Sequence, residues 1–205
     1  MKVFLWNEKQ FFAINRKEEI DSNTFLITDF EESMIKETID NGGVLWLDNG
    51  EIKWSGKRPD EVHIWDDASH SWIIDDVLFE ARLETQQEHM WEKIKSKRLE
   101  EVTSGVLVNS VNKKFHTDET SAIQYSNVAG MIALNNYEPV QWKVMDNTWV
   151  LLTKELFIEL QKAMNANTQA TYAIAEHHKE AMLLLDDPSN YNFSTGWTNG
   201  VIESK

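Results

Sequence analysis

The sequence predicts an α+β fold: a region of short strands and hairpins, then a helix-rich domain with small β-hairpins and a long C-terminal helix. Three observations predict it. Short runs rich in aromatic and β-branched residues, separated by turn residues, occupy residues 1–75. Longer stretches of helical periodicity follow. The last of these keeps a heptad spacing for about four repeats.

Residues 2–6 and 11–14 read as two strands around the polar turn 7–10. Asp29, followed three residues later by Glu32, has capping-box spacing and starts a short helix that buries Met34, Ile35 and Ile39. Asn41-Gly42-Gly43 stops it. Runs 44–48 and 51–54 flank Asn49-Gly50, the pair favoured in a type I′ turn because both positions need positive φ. A second hairpin joins 62–65 to 72–74 around residues 66–71.

The pattern over 75–103 is helical, with Leu83, Met90, Trp91, Ile94 and Val102 toward a core and Gly105 ending it. Residues 106–111 and 115–117 make a small hairpin. Asp118 caps a helix carrying Ile123, Val128, Ile132 and Leu134. Run 140–145 pairs with 149–152 around Asp146-Asn147-Thr148. Thr153 is the N-cap of the last helix, with Glu155 in its first turn where the helix dipole favours an anion.

That helix carries Leu156, Leu160, Ala163, Asn167, Ala170, Ile174, His177, Ala181 and Leu184 in strict 4-3 spacing. Such a seam either zips to further copies of the chain or folds back on the 75–103 helix. Its polar members, Asn167 and His177, make the seam impure, although a buried Asn can fix register at a cost in stability. Pro188 places the helix end before it. The domain bounds that follow are 1–75, 76–197 and a tail at 198–205.

Composition narrows the function. An apolar share of 41% and nine tryptophans exclude a mainly disordered chain. With no cysteine there is neither a disulfide framework nor a thiolate metal site, which fits folding in a reducing cytoplasm. A net charge of −14 argues against a nucleic-acid partner. The cluster Lys93, Lys95, Lys97 and Arg98 reads as a solvated helix face. No apolar run reaches membrane-spanning length, and residues 1–8 turn polar too early for a secretory leader. A soluble protein without membrane insertion is expected.

Catalytic constellations are weak. Asp66-Asp67, Asp75-Asp76 and Asp186-Asp187 are adjacent pairs, whereas glycoside hydrolysis needs two carboxylates held apart across a sugar. His177 and His178 diverge by about 100° on a helix, and His63 with His70 lacks a third ligand. No nucleophile elbow or phosphate loop is present. No catalytic residue, cofactor or metal is therefore assigned. Trp91 and Trp142 are assigned to a core, and Trp54, Trp65 and Trp72 are the candidate surface-binding aromatics.

An ordered series then stands out: Met90-Trp91-Glu92-Lys93-Ile94-Lys95, Arg98, Gly105, Phe115-His116-Thr117-Asp118 and Gln124-Tyr125. It continues through Trp142-Lys143-Val144-Met145-Asp146-Asn147, Leu152-Thr153, Asp187-Pro188, Tyr191-Asn192-Phe193-Ser194 and Gly196-Trp197. Over about residues 76–197 it resembles the C-terminal domain of unknown function that recurs in bacteriophage and prophage tail-fibre-associated proteins. The hairpin with Ile64-Trp65-Asp66 and Ser71-Trp72 is similar to the Trp-bearing segment that often precedes that domain. The resemblance implies a structural tail-fibre protein, made in the host cytoplasm and carried in the virion tail, that aids host attachment. It implies equally an assembly chaperone that promotes trimerisation of a separate fibre chain. The partners implied are further copies of the chain as a homotrimer through the seam, other phage tail proteins and a host surface polysaccharide. An enzyme acting on that polysaccharide ranks last.

Overall fold

The computed structural model describes residues 2–14 and 22–200, and these form an α+β chain of four helices and eleven short antiparallel strands. Two compact units, Met1–Arg82 and Leu83–Lys205, divide it.

In the first unit β1 (Lys2–Leu5) is the middle of a three-stranded sheet, between β2 (Gln10–Ala13) and β3 (Thr24–Leu26). Val3 and Phe4 are both fully buried. Neighbouring strand residues point to opposite faces, so β1 is covered on both sides. The sequence gives no turn signal for β3, which leads directly into a helix.

That helix, α1 (Asp29–Asp40), is capped one residue earlier than its spacing suggests. Thr28 Oγ1 accepts the Glu31 amide at 3.2 Å, and the Glu31 carboxylate accepts the Thr28 amide at 2.7 Å. Asp29 falls instead in the first turn and pairs with Lys2 at 2.6 Å. The buried face is Ile35 and Thr38, leaving the expected Ile39 exposed. Thr38 is held inward because Gly43 packs on it, its amide donating to the Thr38 carbonyl at 2.7 Å.

Two hairpins follow, β4 (Leu45–Asp48) with β5 (Glu51–Trp54) and β6 (His63–Asp66) with β7 (Ser71–Ile74). Asn49 and Gly50 have φ of +51° and +81°, as their turn requires. Trp65 and Trp72 are direct cross-strand partners.

The unit boundary falls inside α2 (Asp76–Thr103), which Asp75 caps by accepting the Leu78 amide at 3.0 Å. In the second unit β8 (Val106–Val108) pairs with β9 (Lys113–Phe115) and precedes α3 (Glu119–Ala133). β10 (Val140–Lys143) pairs with β11 (Trp149–Leu152) and leads into α4 (Lys154–Leu183). A short 3-10 turn covers Pro188–Asn190. Gly105 has φ +95°, and a Cβ there would lie 2.2 Å from Met145 Sδ and 2.7 Å from the Phe115 carbonyl. The chain turns at that point because nothing larger fits.

Asp118 caps α3 as expected, but the helix buries Ser121, Tyr125 and Val128 and exposes Ile123 and Leu134. Tyr125 decides this phase. Its ring stacks on Trp142 at 5.2 Å and its hydroxyl donates to the His116 carbonyl at 2.9 Å. Burial pushes that hydroxyl up to about 12.

α2 and α4 lie against each other. Arg98 sits over Tyr172 at 4.2 Å, and Trp91 lies under Lys179 at 4.8 Å. One helix climbs while the other descends between those contacts, so the pair is antiparallel. Met90, Ile94, Ala175, Met182 and Trp197 fill the space between them.

Candidate functional site

The seam of α4 is the first candidate site. Its buried stripe runs Leu156, Leu160, Asn167, Thr171, Ala175, His178 and Met182, with Met164 half-buried between Leu160 and Asn167. The spacing is 4-4-3, an 11-residue period, whereas the heptad expected from sequence is 4-3. A straight α-helix drifts about 20° per heptad. The two patterns therefore share Leu156, Leu160 and Asn167, differ by one residue at Ala163 against Met164, and stay one residue apart from Ala170 against Thr171 onward. Ala163, Ala170, Ile174 and Ala181 lie half-buried, His177 is exposed and Leu184 is 86% exposed. His178, rather than His177, faces inward.

The polar stripe residues find partners in their own chain. Thr198 Oγ1 donates to Asn167 Oδ1 at 2.6 Å and lies 3.3 Å from Thr171 Oγ1. His178 Nε2 is 3.0 Å from the Thr195 carbonyl, which can only accept, so Nε2 is the protonated nitrogen. Its Nδ1 meets the Tyr191 hydroxyl at 2.9 Å. From α2, Glu101 (4% exposed) accepts the Asn199 amide at 3.1 Å and pairs with Lys97 at 2.9 Å. The Leu107 amide donates to the Gly200 carbonyl at 2.9 Å. Residues 191–200 thus form a polar clasp over α2 and α4. Part of the expected tail, 198–200, belongs to this clasp, and 201–205 lie outside the described residues. Asn167 Oδ1 is thus engaged within its own chain, and Leu156 and Leu160 belong to their own unit's core. The second half of the seam, around Ile174 and Ala181, lies beside α2, while Leu156 and Leu160 pack with Val106, Val108, Tyr125 and Val128.

The candidate aromatics are all half-buried. Trp65 packs 5.4 Å from Trp72, edge to face, and 5.1 Å from Trp46, which stacks on His70 at 4.8 Å. The indole nitrogens of Trp65 and Trp72 are buried and have no hydrogen-bond partner among the described residues. Trp54 lines a cleft of about 520 Å³ between β3, α1 and β5. The one exposed tryptophan of the nine is Trp149, at 61%. Register puts it on the outer face of the β10–β11 hairpin with Leu151, itself exposed. Strand alternation in Trp149-Val150-Leu151-Leu152 gives that grouping, but does not say which face is outward.

The adjacent carboxylates serve local structure. Asp66 accepts from the Ser69 amide and hydroxyl, Asp75 caps α2, and Asp187 accepts the Ser189 amide. His63 lies 2.5 Å from Asp60, while His70 stacks on Trp46, so the two rings do not share a site. Among the described residues no group of three or more His, Asp or Glu could hold a metal. Of the basic cluster, Lys95 pairs with Glu92, Lys97 with Glu101, and Arg98 covers Tyr172. No described helix is long and apolar enough to cross a membrane.

No curated protein and no solved structure matches this chain. Residues 85–195, more than half of its 205 residues, match the family described as "Domain of unknown function (DUF4376)", and the chain belongs to that family.

Proposed function

We propose that this protein works by contact with other proteins of a bacteriophage tail, as a fibre-associated component that contributes to host attachment rather than as an enzyme. The observation that carries the reading is the ordered series from Met90 to Trp197, which resembles tail-fibre-associated proteins. The outer face of β10–β11, with Trp149 and Leu151 exposed beside Gln141 and Lys143, is the contact surface we assign to it. Exposed aromatic anchors of this kind dominate protein interfaces.

A second reading, the assembly chaperone, is favoured by one observation: the seam is largely used inside the unit. A homotrimer through Leu156, Leu160 and Asn167 would have to open that core, whereas a chaperone need not be trimeric. Quantitative mass spectrometry of purified virions separates the two. Peptides of this chain at a small multiple of the tail number support the fibre component. Absence from virions with abundance in the infected-cell lysate supports the chaperone, and absence from both, with no tail defect on deletion, ends the tail proposal. Trp149→Ser should leave the far-ultraviolet spectrum unchanged and reduce incorporation or client binding. Full function in that variant would remove the hairpin face from the interface.

A further inference from the structure

We propose that the cleft of the first unit is a docking site for an extended basic peptide with alternating apolar residues, which adds as a third strand to the free edge of β5. The cleft is lined by five consecutive residues, Gly50 to Trp54, on one side and by three, Phe25 to Ile27, on the other. Successive strand side chains point to opposite faces, so a wall of consecutive residues is a strand edge and not a face.

Hydrogen bonding agrees. The Ser55 amide donates to the Val44 carbonyl at 3.0 Å, which marks 44 and 55 as a bonded pair. Bonded pairs alternate along an antiparallel ladder, so Trp46 with Lys53 and Asp48 with Glu51 are bonded too. The backbone groups of Ile52 and Trp54 then point away from β4, toward the cleft, and among the described residues no backbone partner meets them there. A sheet of two strands is marginal by itself, and a third strand would complete it.

The chemistry of the occupant follows from the lining. Ile35, Trp46 and Ile52 offer apolar contact for alternate side chains. Glu31 and Glu51 lie on the same cleft, the latter paired with its one lysine, Lys53. Residues 1–82 carry 18 Asp and Glu against 9 Lys and Arg, a formal charge of −9. A basic strand is attracted to that field and an acidic one is repelled. The inference rests on the cleft alone and stands apart from the tail reading.

Titration calorimetry of the full chain with a synthetic seven-residue peptide of alternating lysine and valine tests it. Saturable one-to-one binding is expected. Methylating alternate backbone amides of the peptide should weaken it about tenfold or more, because the ladder loses its donors. Replacing the lysines by glutamates should do the same. Ile52→Pro removes an edge N–H while sparing the bonds to β4, and should also weaken binding about tenfold with an unchanged circular dichroism spectrum. If that variant unfolds, the methylated peptide decides with the unaltered protein. No saturable heat, equal binding of the methylated peptide, or equal binding of the glutamate peptide would each overturn the proposal.

Discussion

Replacing Trp197 by alanine tests whether the clasp is part of the second unit's core. The indole is 7% exposed, packed with Met90, Ile94, Ala175 and Met182, and its Nε1 donates to the Phe193 carbonyl at 2.7 Å. Burying a tryptophan removes roughly 150–250 Å² from water, worth about 4–6 kcal/mol at roughly 25 cal/mol per Å². Truncations of this kind cost about 3–5 kcal/mol in practice. The lost hydrogen bond lies within that figure, at about 1 kcal/mol. Against a typical total stability of about 5–15 kcal/mol, a loss near 4 is a large fraction. The neighbours should add to it, because Thr198 and Asn199, which reach Asn167 and Glu101, directly follow the indole in the chain. Urea unfolding followed by helical ellipticity reads the loss as a lower midpoint, and ellipticity avoids the mixed emission of nine indoles. Trp197→Phe keeps most of the packing and should lose about 1–2 kcal/mol. A loss below about 1 kcal/mol for the alanine variant would refute the reasoning and leave the clasp as an ornament on a finished core.

Gly105→Ala should destabilise the second unit by about 2–5 kcal/mol, since positive φ and the crowding by Met145 and Phe115 add together; an unchanged melting temperature would contradict the packing described. Asn167→Ala should cost about 1–3 kcal/mol by removing the buried acceptor 2.6 Å from the Thr198 hydroxyl, with no change in the mass measured by light scattering. A change of mass instead would place Asn167 between chains. Asp60 is held down at about 2, first by the His63 ring and then by the Val62 amide and Arg82. A depressed carboxyl contributes stability above its ordinary value of 3.8 that is lost as pH falls toward 2. The melting temperature of Asp60→Asn should therefore decline less steeply than that of the parent across that window, and parallel curves would remove the group from the acid response.

Local chemistry made much of this fold legible. Asn49-Gly50 announces its hairpin because few pairs accept two positive φ values, and Thr153 and Asp118 announce helix starts because their oxygens accept the first free amides. Helix phase was harder to read. Ile123 and Ile39 are as apolar as any core residue, yet Tyr125 and Thr38 occupy the interior because the neighbours Trp142 and Gly43 complement them. On α4 the heptad and the 11-residue stripe share Leu156, Leu160 and Asn167, and elsewhere differ by a single residue. The stripe's buried polar residues hinted at a partner. That these groups meet residues 191–198 of the same chain is a long-range fact that no local pattern encodes.

The clasp also bears on the order in which the second unit assembles. Its hairpins join strands a few residues apart, and such turns close within about 1–10 μs. Glu101 and Asn199 are 98 residues apart, and loop closure over that span carries an entropic cost that grows with the logarithm of its length. Helices and hairpins can therefore form while Asn167, Thr171 and Glu101 are still open to water. During that interval the same polar groups would accept an equivalent segment from a neighbouring chain. Domain exchange, which grows with protein concentration during refolding, is the hazard such a late closure carries.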